Sequence, residues 1–147
     1  MYGEPYRGFE SHPLRQKCKV EGERRRAEVS DELKGRLKGL ALRVIKLYGA
    51  LPKTTEAQVI GKQLLRSGTS VGAHYYEAQR AKSDADFIGK IDGAAQECEE
   101  TCYWLELLQE SGIIPAERLA ALREEAQQLI AILVTIARKV RDKQQTR

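Results

Sequence analysis

Phenylalanine occurs twice, tryptophan and methionine once each, proline four times and histidine twice in the 147 residues. Ala, Leu, Glu, Lys, Arg and Gln dominate instead, which is the usage of long helices and not of aromatic, β-branched strands broken by turns. A sheet protein is excluded and an all-α domain is expected. Long apolar runs are also lacking. The longest, Leu129 to Ala137, is nine residues, against the roughly 20 that cross a bilayer. The first thirty residues contain no apolar stretch followed by a small-residue cleavage site, so no secretory signal is expected. Three cysteines, an odd number, do not make a disulfide framework and fit a reducing compartment. The expected location is the cytoplasm, with no membrane partner.

The scarcity of histidine limits chemistry. Only His12 and His74 occur, and the Glu-x-x-His pairs of di-iron bundles are absent. No G-x-x-x-x-G-K phosphate loop appears. Cys98 and Cys102, four apart on one helix face, fit buried core thiols better than soft-metal ligands. No metal, no cofactor, no catalytic residue and no enzymatic activity are expected.

What is present is organised charge and period. Residues 31–82 hold ten Lys and Arg against four acids, a net of +6, whereas residues 83–112 hold eight acids against Lys90 alone, a net of −7. Residues 1–28 have no period and are expected to form a disordered tail, with a bundle over 29–143 and a flexible 144–147. The string Gly8-Phe9-Glu10-Ser11 is what GGGTTCGAATCC encodes and resembles the T-arm of a transfer RNA gene. On that reading the frame opens upstream of a true start at Val20, Val29 or Leu33, and a basic arm is the alternative.

Four helices follow from spacing. The first opens at Ser30 as N-cap and stops before Pro52, with Leu33, Leu37, Leu40, Val44, Leu47 and Leu51 on one stripe. The second runs from Thr54 or Thr55 to about Lys82, with Ile60, Leu64, Ser67, Val71, His74 and Ala78 inward. Ser83 caps the third in a near capping box with Asp86, and Phe87, Ile91, Ala94, Cys98, Thr101, Leu105 and Leu108 face the core before Ser111-Gly112 stops it. Pro115 lies in the first turn of the fourth, whose heptad is Leu119, Leu122, Ala126, Leu129, Leu133, Ile136 and Val140. Short connections make an antiparallel up-down-up-down four-helix bundle the simplest arrangement.

His74 shares a helix face with Ser67, Ser70 and Glu77. Residues of one helix rarely converge on one atom and no oxyanion donors accompany them, so they are read as a buried polar network and not as a triad. Glu97 and Glu100 are read as solvated surface. The pairs Gly35/Gly39, Gly68/Gly72 and Gly89/Gly93 each forgo about 0.8–1 kcal/mol per glycine relative to alanine, which points to close helix approach, within or between subunits. Leu129–Ala137 is apolar almost all round, and Tyr103, Trp104 and Leu107 add to the third helix. One core buries one stripe per helix, so this surplus points to a homo-oligomer.

Leu51-Pro52-Lys53, the stretch Gln63 to Ala73 (QLLRSGTSVGA), Glu77-Ala78, Ser83 to Phe87, Tyr103 to Leu108 (YWLELL) and Glu110-Ser111-Gly112 together resemble the four-helix bundle proteins encoded in intervening sequences of 23S ribosomal RNA genes. The resemblance covers about residues 33–140. It implies a homopentameric barrel without established enzymatic activity, related in fold to accessory proteins of diversity-generating retroelements that bind nucleic acid and a reverse transcriptase. Related sequences tend to read Ala-Asn-Tyr-Arg-Glu where this chain has Ala73-His74-Tyr75-Tyr76-Glu77, so an amide becomes imidazole and a positive charge is lost.

The expected function is therefore a non-enzymatic oligomeric scaffold, a pentamer by resemblance, that binds RNA or DNA electrostatically. The alternative is an adaptor for another protein. Arg66, Ser70, His74, Glu77 and Arg80 are the expected polar network or interface, and Arg43, Lys46, Arg138, Lys139, Arg141 and Lys143 are the expected nucleic-acid contacts.

Overall fold

The computed structural model describes residues 13–146 as four helices, α1 Pro13–Ala50, α2 Thr55–Ala78, α3 Asp84–Glu110 and α4 Ala116–Gln145. No strand occurs among the described residues, so the all-α expectation holds. Packing divides the chain into two units between Leu33 and Lys34. In the first unit α1 starts at Pro13 and not at Ser30. Residues 13–28, expected to be disordered, are helical, because Lys, Glu, Arg and Ala carry strong helix preference even where no apolar stripe betrays it. Residues 1–12, with the Gly8–Ser11 string, lie outside the described residues.

In the second unit each connection has an identifiable stop or start. Pro52 terminates α1. Thr54 caps α2, its hydroxyl accepting from the Ala57 N–H at 3.4 Å. Helix α2 ends at Ala78, short of Lys82, and the chain turns through bonds from the Arg80 N–H to the Glu77 carbonyl and from the Ala81 N–H to the Ala78 carbonyl. Ser83 caps α3 by accepting from the Asp86 N–H at 3.1 Å, while the Asp86 carboxylate reaches back to the Lys82 N–H at 3.2 Å, one residue before the usual capping-box donor. Gly112, at φ +75°, adopts the left-handed turn that follows α3. Pro115 is the N-cap of α4 and not its first helical residue.

Neighbouring helices of this unit run in opposite directions. A Cβ at Gly68 would meet Val44 and one at Gly72 would meet Leu37, so α1 descends along α2. Helix α2 packs on α3 and α3 on α4. The guanidinium of Arg36 on α1 donates to both oxygens of Glu125 on α4, at 2.8 and 3.0 Å, and to Gln128 at 2.9 Å. Leu37, Leu40, Val44, Leu64, Val71, Ile91, Cys98, Leu105, Leu119, Leu129 and Leu133 are buried between them.

All four faces differ from the expected stripes, that of α3 only at Phe87, which lies in the first turn of the helix and is half-buried. On α2, Ala57 and Tyr75 are buried while Ile60 and His74 are only half-buried, because Gly61 and Gly68 admit α1 closely and turn the helix toward it. On α4, Ala137 is buried in place of Ile136 and Val140. A straight helix of 3.6 residues per turn drifts against a strict heptad. On α1, Leu47 is half-buried although Leu37, Leu40, Val44 and Leu51 are covered. Of the glycine pairs, Gly68 makes the close approach and Gly93 faces His74, but Gly35, Gly39 and Gly89 face open space. Gly61 was not singled out, yet a Cβ there would lie 2.5 Å from Leu51.

Candidate functional site

Polar chemistry concentrates along the seam of α2 and α3. At its buried centre the Ser67 and Thr101 hydroxyl oxygens lie 3.0 Å apart, fully covered. Each also has a backbone acceptor in its own helix, the Leu64 carbonyl at 3.3 Å and the Glu97 carbonyl at 2.8 Å. With one proton apiece, both hydroxyls are satisfied without water. Next to this pair the guanidinium of Arg66 donates to Glu97, at 3.3 and 3.4 Å, and forms an ion pair with Glu100, while the Trp104 indole N–H donates to Glu100 at 3.0 Å. The Arg66 hydrogen bond, then that of Trp104, holds the Glu100 carboxyl below the usual carboxylate range, and Glu100 in turn raises Arg66. Toward the other end Lys90 donates to Glu77 at 2.7 Å and lowers its carboxyl.

The expected network is thereby distributed and not joined. Arg66 and Glu77 are engaged with different residues of α3. Ser70 donates to the Arg66 carbonyl of its own helix at 2.7 Å, because a serine inside a helix finds the backbone one turn back more readily than a side chain. Arg80 lies in the turn after α2, where its N–H bonds Glu77. His74 faces Gly93, and its Nδ1 is buried with no hydrogen-bond partner among the described residues. Sequence reasoning missed Glu97, Glu100, Trp104 and Lys90. The available signal was the Glu97-x-x-Glu100 spacing on the acidic helix that follows the basic one. The pairs are exposed on one side and carry little stabilisation individually.

The thiol of Cys98 is buried and donates to the Ala126 carbonyl at 3.3 Å, and burial pushes its pKa up to about 12. Cys102 is half-buried and is raised in the same sense, mainly by burial. Among the described residues no group of three or more His, Cys, Asp or Glu is arranged to hold a metal ion. No helix among them is long and apolar enough to cross a membrane.

The other expected contacts fall into two places. Arg43 and Lys46 border a cleft between α1 and the start of α4 with Arg118. Arg138, Lys139, Arg141 and Lys143 lie on the last turns of α4, about 24 Å beyond Leu122 along the helix at ~1.5 Å per residue. There Arg141 is paired with Asp92 of α3, so the six cations do not form one patch.

The arrangement over Lys34 to Thr135 coincides with a known sequence family: residues 34–135 match the profile of the 23S rRNA-intervening sequence protein. The chain belongs to that family. The match takes in the α2 and α3 seam and ends before Arg138, so the terminal basic cluster lies outside the family region. A crystal structure of a protein of unknown function from the S23 ribosomal protein family of Bacteroides thetaiotaomicron VPI-5482 is similar to it, with 37% identity, a TM-score of 0.70, and coverage of 74% of this chain and 97% of that one. None of the curated proteins compared matches the chain. The region matched by the 23S rRNA-intervening sequence protein family thus spans α2, α3 and most of α4 of this chain.

Proposed function

We propose that the chain is an antiparallel up-down-up-down four-helix bundle that assembles into a closed ring, five copies by resemblance, and works as a non-enzymatic scaffold holding RNA or DNA by charge. The opposed directions of α1 against α2 and α4, and of α3 against α2 and α4, support the bundle. The observation that carries the assembly is apolar surface left over once the core is filled. Leu42 is 58% exposed, Ile45 48%, Tyr76 49% and Tyr103 52%. Leu42 and Ile45 are one turn apart on α1, and Tyr76 lies against the same helix through Lys34, whose ammonium sits 5.9 Å from its ring centre. A second copy removes such a surface from water.

For nucleic acid the supporting feature is the end of α4. Arg138, Lys139 and Lys143 are exposed and make no ion pair among the described residues, whereas Arg141 is neutralised by Asp92. A ring repeats this cluster, so several phosphates are engaged together and weak contacts compound. No aromatic stacking platform accompanies it, so the binding has little sequence preference. Fluorescence anisotropy with a structured RNA and a duplex DNA, titrated from low to physiological salt, tests this. Binding tighter than about 10 µM at low salt is expected, with log affinity falling by roughly 0.9 per neutralised phosphate for each decade of salt. Charge reversal by R138E/K139E/K143E abolishes it. Absence of binding to either polymer favours the protein adaptor.

A further inference from the structure

Where the end of α1 passes the start of α4, the two helices leave a cleft of about 300 Å³. Its floor is Leu47, Leu119 and Leu122, and its rim is Arg43, Lys46 and Arg118. Leu47 belongs by spacing to the inward stripe of α1, between the buried Val44 and Leu51, yet it is only half covered. Among the described residues none of the three rim cations forms an ion pair, and no acid lines the cleft. Glu125, on which Arg43 acts only through space, has its two oxygens taken by Arg36 at 2.8 and 3.0 Å. Three like charges over a half-covered leucine repel one another and leave apolar surface wet.

We propose that this cleft binds a small amphipathic anion, a single carboxylate on a short aliphatic body, with the carboxylate held by the forks of Arg43 and Arg118 and the chain lying on Leu47, Leu119 and Leu122. Arginine matches a carboxylate with two parallel donors, which a point charge does not. The volume is at the lower end of small-molecule sites, which run from about 300 to 1,000 Å³, so the body is short. A polymer backbone has no use for the leucine floor, and this distinguishes the cleft from the cation cluster at the far end of α4. The site needs neither the ring nor nucleic-acid binding.

Titration calorimetry on the full chain with octanoate, and with 1-octanol and octylammonium as matched probes, tests the assignment. One octanoate per chain is expected, with a Kd on the order of 1 mM or tighter. The alcohol binds at least tenfold more weakly and the ammonium not at all. Two kinds of variant, both at exposed positions and checked for unchanged helicity, separate charge from shape. R43Q/R118Q lowers octanoate affinity at least tenfold, and Ala50→Phe, which fills the mouth of the cleft, lowers it without altering charge. The proposal is overturned if octanoate does not bind, if the alcohol binds equally well, or if neither variant changes its affinity. It is equally overturned if R43Q/R118Q leaves octanoate unaffected while weakening RNA binding or changing the mass in solution, since the rim is then a phosphate or subunit contact.

Discussion

Gly68 and Gly89 have the same intrinsic cost in a helix and opposite surroundings. A Cβ at Gly68 would stand 2.9 and 3.0 Å from the methyls of Val44, a fully buried, β-branched side chain that is stiff about χ1, whereas nothing lies within 4 Å at Gly89. Overpacking of about 1–3 kcal/mol at Gly68 outweighs the propensity gain of about 1 kcal/mol. Urea unfolding is expected to show Gly68→Ala less stable than the parent and Gly89→Ala more stable by about 0.5–1 kcal/mol. A stabilised Gly68→Ala would mean that α1 and α2 do not approach as described. Titration follows from the same local detail. Glu77, Glu100 and Glu125 are all held below the ordinary carboxylate range, chiefly by hydrogen bonds from Lys90, Arg66 and Arg36. A depressed folded value means stability fully present above the unfolded pKa of about 4.3 and lost as pH falls through the folded values. The thermal midpoint is therefore expected to drop on acidification below that range, and less steeply in Arg36→Gln, which frees Glu125. Equal slopes in parent and variant would remove the Arg36–Glu125 pair from the account.

Helix ends here depend on single side chains, and α3 shows it most clearly. Ser83 and Asp86 satisfy two backbone donors between them, so Ser83→Ala is expected to lower stability by about 1 kcal/mol, with Ser83→Asp restoring most of it. An unchanged stability in Ser83→Ala would indicate that the cap contributes nothing. Helix α1 poses the opposite case, a helix longer than its apolar stripe. Apart from Leu33, the buried core side chains of the four helices lie in the unit from Lys34 onward. Deletion of residues 1–28 is accordingly expected to leave the thermal midpoint within about 4 °C of the full chain, the shift that ~1 kcal/mol produces in a domain of this size. A larger fall in differential scanning calorimetry would give the early part of α1 a share of the stability.

Assembly is the property of the whole molecule that the exposed apolar side chains bear on. Light scattering at micromolar concentration is expected to give roughly 83 kDa, five times the 16.6 kDa chain. Leu42→Glu with Ile45→Glu, which changes no buried residue, is expected to return the mass to the monomer while helicity persists. A monomeric parent sinks the ring, and an unchanged mass in the double variant moves the interface elsewhere. Basic α2 and acidic α3 meet within one chain at Arg66–Glu97 and Arg66–Glu100, so part of the charge asymmetry is consumed internally and is not available for partners.

Much of this was legible before any coordinates. Helical composition, the stop at Pro52, the start of α2 at Thr54 or Thr55, the cap at Ser83 and the inward positions of Leu37, Leu64, Ile91 and Leu129 depend on local preference and on the 3.6-residue period, both of which are written along the chain. So is the family, through the joined motifs of α2 and α3. Other features depend on which helix stands beside which. Pairing of Arg66 with Glu97 and Glu100, of Glu77 with Lys90 and of Arg141 with Asp92 joins residues far apart in the chain, and no periodicity encodes a partner. The burial of Tyr75 over His74, the half-exposed Leu47 and the unequal roles of otherwise similar glycines have the same origin. A helix carries its stripe by itself, but its exact rotation, and hence the clefts and charges left over, follows only from close packing against its neighbours.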